Sequence, residues 1–165
     1  MKRSIGINII FMLAALLMVT FAGVYYLTHQ AKDFPFRCSA FSRYDLSRND
    51  DKRIEFAVAQ DLRFDQKDSG YLLLNGQATS NDGVTILNRR VALINGAKIS
   101  DDTYQYQISK VVTSNTDTTP DVIFNKLLAE ITLDPTHLQL DVDKIDKNTY
   151  IIGGPISYLF TCQRY

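Results

Sequence analysis

Residues 54–64 read IEFAVAQDLRF, and this stretch decides the fold. Ile54, Phe56, Val58, Leu62 and Phe64 share one parity, and Glu55, Asp61 and Arg63 take the other. A side-chain period of two marks a strand with one face in a core and the other in water. The pattern extends in both directions. Upstream, Phe36, Cys38, Ala40, Ser42, Tyr44 and Leu46 line a first strand, and Asn49, Asp50 and Asp51 turn the chain. Downstream, the polar run Asp65–Gly70 is a turn, Tyr71–Thr79 a third strand and Val84–Ile94 a fourth. Asn81, Asp82 and Gly83 between them supply the residue types that tolerate positive φ in a tight hairpin.

In the fourth strand the apolar phase switches, with Val84 and Ile86 on one parity and Leu87, Val91 and Leu93 on the other. The switch predicts a bulge near Asn88 and Arg89. Asn95 and Gly96 read as the next turn, and Tyr104, Tyr106, Ile108 and Val112 as a fifth strand. Five strands joined by short turns make an antiparallel meander.

The Ser/Thr-rich segment from Thr113 to Thr119 breaks the pattern. Thr119 is placed to cap a helix, with Pro120 in its first position and Asp121 near its positive end. Ile123, Phe124, Leu127, Leu128 and Ile131 recur at helical spacing, so one face packs on the sheet, and Asp134 and Pro135 end the helix. Leu138, Leu140 and Val142 open a sixth strand. Lys147 and Asn148 turn into a seventh, Tyr150–Ile152, and Gly153, Gly154 and Pro155 separate it from a last strand at 156–162. The expected fold is α+β and mainly antiparallel β: a seven- to eight-stranded sheet, strongly curved or closed into a barrel, carrying one helix. Barrels of that size can hold one small ligand.

Before this domain, Ile5–Leu27 is uncharged, with Lys2 and Arg3 ahead of it and Tyr25 and Tyr26 near its end. As a helix the run reaches about the 30 Å of a bilayer's hydrocarbon core. The expected organisation is a cytoplasmic stub at 1–4, a transmembrane helix at 5–27, a juxtamembrane linker at 28–35 and an outer β-rich domain at 36–165. The cationic flank puts the N-terminus inside. A cleaved secretory signal is the rival reading and gives the same compartment, but the apolar run exceeds the roughly 7–15 residues of a signal's core. Asn8, Ala15 and Ala22 recur every seven residues, a helix face able to pack on another helix or simply part of an apolar one.

Over the whole chain 18 basic residues balance 18 acidic ones, and setting aside Lys2 and Arg3 leaves the rest at 16 − 18 = −2. No cationic stripe is present, which argues against nucleic-acid binding. The two cysteines, Cys38 and Cys162, lie on the oxidising side of the expected topology and are expected to pair, tying the first strand to the last; two buried thiols are the alternative. Neither they nor His29 and His137 show the close spacing of a zinc site.

No catalytic set is legible. Asp141 and Asp143 share a strand face but read as its solvated side, and His137 stands alone in a connector. There is no phosphate loop, nucleophile elbow or zinc-protease helix motif. No cofactor or metal ligand is expected, and the sequence does not identify the ligand-binding residues. Tyr44, Tyr71, Tyr104, Tyr106, Tyr150 and Tyr158, with Phe56, Phe64 and Phe160, line either an apolar cavity with polar tips or a filled core.

The chain resembles the FidL-like family of enterobacterial single-pass membrane proteins. The matching features are the basic start with one anchor, Phe36-x-Cys38, Thr119-Pro120-Asp121 with Phe124-Asn125, Ile145-Asp146-Lys147-Asn148 and Leu159-Phe160-Thr161-Cys162. The resemblance implies no enzymatic activity. It implies an accessory partner of a membrane-bound transcription regulator of the ToxR/CadC type, meeting it through outer domains; in related pairs these build a lipocalin-like barrel that binds bile salts. The expected protein is therefore a bacterial inner-membrane accessory protein, its C-terminal domain periplasmic, able to sense an amphipathic small molecule. A membrane-tethered carrier of a lipid or other hydrophobic ligand, or a structural component of an envelope complex, are the alternatives.

Overall fold

The structure is a computed structural model. It describes residues 2–30, 34–47, 53–132, 134–155 and 157–165, with side chains over 12–26 in the first helix. The chain divides into two units, Met1–Phe34 and Pro35–Tyr165.

The first unit contains helix α1, Lys2–Gln30. Its large apolar side chains from Met12 to Tyr26 are exposed, and the Thr20 hydroxyl donates to the carbonyl oxygens of Leu16 and Leu17. Among the described residues no helix is long and apolar enough to cross a membrane. The expected span at 5–27 is therefore not supported as it stands. Its ends, including Asn8 of the expected packing face, lie outside the described side chains, and residues 12–26 alone fall short of the roughly 20 that a bilayer needs. Ala15 and Ala22 are exposed.

The second unit is a closed antiparallel barrel in simple sequence order: β1 Phe36–Asp45, β2 Ile54–Phe64, β3 Gly70–Ser80, β4 Gly83–Lys98, β5 Thr103–Thr113, β6 His137–Lys144, β7 Thr149–Gly153 and β8 Tyr158–Arg164. Helix α2, Asp121–Ile131, lies between β5 and β6. Alternation places the core. In β2, Ile54, Phe56, Val58, Gln60, Leu62 and Phe64 are all buried, and they face Leu72, Leu74 and Ala78 on β3 and Leu87, Val91 and Leu93 on β4. The chain enters at a near mouth, formed by Phe36, the β2–β3 turn and the tips of the β4–β5 and β6–β7 hairpins. The far mouth is formed by Asp45, the β3–β4 turn, Thr113 and Gly153. The expected turn at Asn49–Asp51 lies outside the described residues.

Three local expectations change. The β3–β4 ladder runs without a break through Asn88 and Arg89, so no bulge explains the phase switch there. Leu87, Arg89, Val91 and Leu93 keep one inward parity, and Val84 and Ile86 take the opposite one, exposed on the outer face. The irregularities lie against β5, between Ala92 and Leu93 and between Ile94 and Ala97. Asn95 and Gly96 are thus a kink inside β4, with Asn95 at φ 53°, and not the end of the hairpin. In the β3–β4 turn Gly83 takes the positive φ, 123°.

The third change concerns α2, which is capped by Pro120 and not Thr119: the Pro120 carbonyl accepts from the amides of Ile123 and Phe124. The Thr119 hydroxyl is occupied elsewhere, donating to the Ile86 carbonyl at 2.9 Å. Phe124, Leu127, Leu128 and Ile131 are buried, the spacing that puts one helix face on the core. The start of α2 is held at β4, and Ile131 borders Gly154, Pro155 and Leu159 at the other end, so the helix crosses the far mouth.

Candidate functional site: the seam between the first and last strands

β1 and β2 pair at ten positions, whereas β1 and β8 pair at two among the described residues, Cys38↔Arg164 and Ser39↔Gln163. Cys38 and Cys162 form a disulfide beside those two pairs, with Cα atoms 5.5 Å apart and both residues fully buried. The barrel is therefore closed at the near mouth by a covalent clasp, two rungs and, just past β8, the Tyr165 amide donating to the Arg37 carbonyl at 3.2 Å. From Ala40 to Asp45, β1 has no ladder partner on its β8 side. Alternate main-chain N–H and C=O groups of a strand point to opposite neighbours, so among the described residues this stretch presents a half-row of groups without a strand partner, as an edge strand does. Phe41, 68% exposed, and Tyr158, 54% exposed, are the exposed large apolar side chains of β1 and β8.

Behind the seam the interior is polar at one point. Gln60 is fully buried on the inward face of β2 opposite Ala40. Its Nε2 donates to the Tyr44 hydroxyl at 2.8 Å, and its Oε1 has no partner. Burial pushes the Tyr44 phenol above its ordinary range, and hydrogen bonds with Gln60 and Ser42 oppose this more weakly. On the outer face of the same strands, a hollow of about 250 Å³ is bordered by Arg43, Asp45, Glu55 and Thr79.

The tyrosines do not share a cavity. Tyr106 stacks on Phe64 with ring centroids 4.5 Å apart, and Tyr150 meets Phe36 edge-on at 5.2 Å, filling the near mouth. Tyr71 faces outward beneath Arg90, Tyr104 keeps the inward parity of Tyr106 at the near mouth, paired with Leu140 and with Lys98 over its ring, and Tyr158 is exposed. Their alternation parities differ, which the residue type alone conceals.

The most buried charges were missed by sequence reasoning. Arg89 is 4% exposed, and its guanidinium holds both oxygens of Asp117 at 3.2 Å, Asp121 at 2.6 Å and the Thr119 carbonyl, with the Phe124 ring 4.4 Å away. Burial pulls its pKa down, and the two carboxylates more than reverse this. Asp117 also accepts from the amides of Asn88 and Thr119. The cluster pins the 114–121 segment to β4 and so fixes α2 across the far mouth. An arginine on the inward parity between Leu87 and Val91 was the available signal.

Asp141 and Asp143 diverge: Asp141 is half-buried beside Gly153, its Oδ1 unpartnered, and Asp143 is exposed. His137 opens β6, where its Nδ1 lies 3.1 Å from Asp134 and 2.8 Å from the Thr136 hydroxyl, so it is not alone. Among the described residues no group of three His, Cys, Asp or Glu side chains could hold a metal ion.

These features define a small antiparallel β-barrel protein with a clasped but incompletely laddered wall. The family described as FidL-like putative membrane protein matches residues 76–162, more than half of the chain, and the chain belongs to that family. The match covers β4 to β8 and includes Arg89, α2 and Cys162. No curated protein matches.

Proposed function

We propose that this chain is a membrane-tethered accessory protein whose barrel binds the outer domain of a membrane-bound transcription regulator of the ToxR/CadC type, by accepting a strand along Ala40–Asp45. The observation that carries the reading is the β1–β8 seam, where pairing stops after Ser39↔Gln163. Strand addition supplies main-chain hydrogen bonds and needs no sharp side-chain motif. Phe41 and Tyr158 would supply the apolar anchors.

Three observations support the proposed placement. The family is described as a membrane protein. The described part of α1 is apolar and exposed, as a helix embedded in lipid is, and Thr20 satisfies its hydroxyl within the helix. The disulfide belongs to an oxidising compartment, here the periplasm, with Lys2 and Arg3 on the cytoplasmic side. The test is co-purification of the full chain with a membrane-bound regulator of that type. Phe41→Asp should abolish capture without altering the thermal melt, and undiminished capture by this variant would contradict the seam.

A second reading rests on the Tyr44–Gln60 pair. The unpartnered Gln60 Oε1 would accept from a hydroxyl of an amphipathic small molecule entering at the seam, making the chain a carrier or a sensor. Ligand-induced stabilisation of the chain without any regulator, lost in Gln60→Leu, would favour it.

A further inference from the structure

The near mouth carries two exposed isoleucines. Ile99, 52% exposed, is at the tip between β4 and β5, and Ile145, 57% exposed, at the tip between β6 and β7. The tips are neighbours, because the Val142 amide donates to the Asp102 carbonyl at 2.9 Å. The second tip also adjoins the point where the chain enters the barrel: the Arg164 amide donates to Asn148, and its guanidinium to the Pro35 carbonyl at 3.3 Å. Both isoleucines follow a lysine, Lys98 and Lys144, whose long stems can lie along an apolar phase with the charge in water. The third near-mouth turn, Asp65–Ser69, is polar.

We infer that these two tips rest in the interfacial layer of the bilayer that holds α1, with Ile99 and Ile145 inserted among the lipid chains. The inference rests on the membrane tether proposed above. α1 ends at Gln30 and β1 begins at Phe36, so the connecting chain reaches at most about 20 Å. The mouth that receives this short tether is the one that carries the isoleucines, whereas the far mouth is crossed by α2. The tips' lysines, Lys98, Lys144 and Lys147, are offset by Asp101, Asp102, Asp143 and Asp146, so the contact is apolar and independent of anionic lipid. Its role is to hold the barrel upright, leaving the seam free along the side.

The chain has no tryptophan, which makes a single introduced one a clean probe. Ile99→Trp, Ile145→Trp and, at the far-mouth turn, Asp82→Trp would each be placed in the full chain and reconstituted into neutral phosphatidylcholine vesicles with brominated acyl chains. Emission from positions 99 and 145 should be blue-shifted and quenched, and emission from 82 unaffected. Vesicle-bound chain in which 99 and 145 stay as bright as 82, whether in water or covered by protein, would overturn the inference while leaving the tether intact. Chain that fails to float with the vesicles would overturn the tether, and this contact with it.

Discussion

Cys38 and Cys162 are bonded beside the only two rungs, among the described residues, that join the first strand to the last. The clasp therefore carries closure that main-chain pairing carries elsewhere in the wall. Their sequence separation of 124 makes the closed loop a long one, and the loop-entropy account gives stabilisation of about 5 kcal/mol, with measured values commonly nearer 2–4 kcal/mol. Replacing both cysteines by alanine should lower stability within that range, read as a fall in the urea midpoint. A midpoint unchanged from the oxidised protein would show that the barrel closes without the bond.

Arg89 is the second prediction. Asp117 is 2% exposed in its side chain, so deleting the guanidinium strands a buried carboxylate. Arg89→Met should cost about 3–5 kcal/mol, and Arg89→Lys should recover only part of it because one ammonium cannot engage both Asp117 oxygens as a planar fork does. Arg89→Met combined with Asp117→Leu should be less destabilised than Arg89→Met alone. Additive losses would contradict the coupling.

Gly96 gives a packing test. A Cβ there would lie 2.2 Å from the Tyr106 ring and 3.0 Å from the Asp68 backbone, while the Gly96 amide donates to Asp68 at 2.8 Å. Gly96→Ala should destabilise by about 1–3 kcal/mol as the Phe64–Tyr106 stack is displaced. Adding Tyr106→Leu should return part of that loss, and a neutral Gly96→Ala would show that the kink yields freely.

Much of this architecture was legible because alternation is a direct image of the barrel wall. In Ile54–Phe64 the inward parity of Ile54, Phe56, Val58, Leu62 and Phe64 was readable, though not that Gln60 lies buried among them, and the pairing of Cys38 with Cys162 was readable because they are the two cysteines of the chain and were placed on its oxidising side. The chain from Val84 to Thr119 was less legible. Val84 and Ile86 lie on the outer face, where apolar residues carry no periodic signal, and Arg89 reads as polar until Asp117 is brought to it from 28 positions away. Thr119 was assigned the helix cap because cap preference is local, whereas its hydroxyl is claimed by Ile86 on another strand. The seam was invisible for the same reason: a missing rung leaves no mark in the strand's own residues.

Asp134 offers a pH test. Hydrogen bonds from the Thr136 amide and hydroxyl, then His137, hold its carboxyl down at about 2. A depressed carboxylate favours folding above its unfolded value near 3.9, and that contribution disappears as pH falls through about 2. Carbon-detected titration should place the Asp134 midpoint near 2, rising in Thr136→Val. A midpoint at the ordinary value would remove the hydrogen-bonded turn before β6.

The free half of β1 is the central claim, and amide hydrogen exchange resolved by residue reads it directly. In the free chain, alternate amides from Ala40 to Asp45, those aimed toward β8, should exchange much faster than the rungs at Cys38 and Ser39, and should become protected when the regulator's outer domain is added. Uniform protection along Phe36–Asp45 in the free chain, unchanged by that domain, would contradict the account.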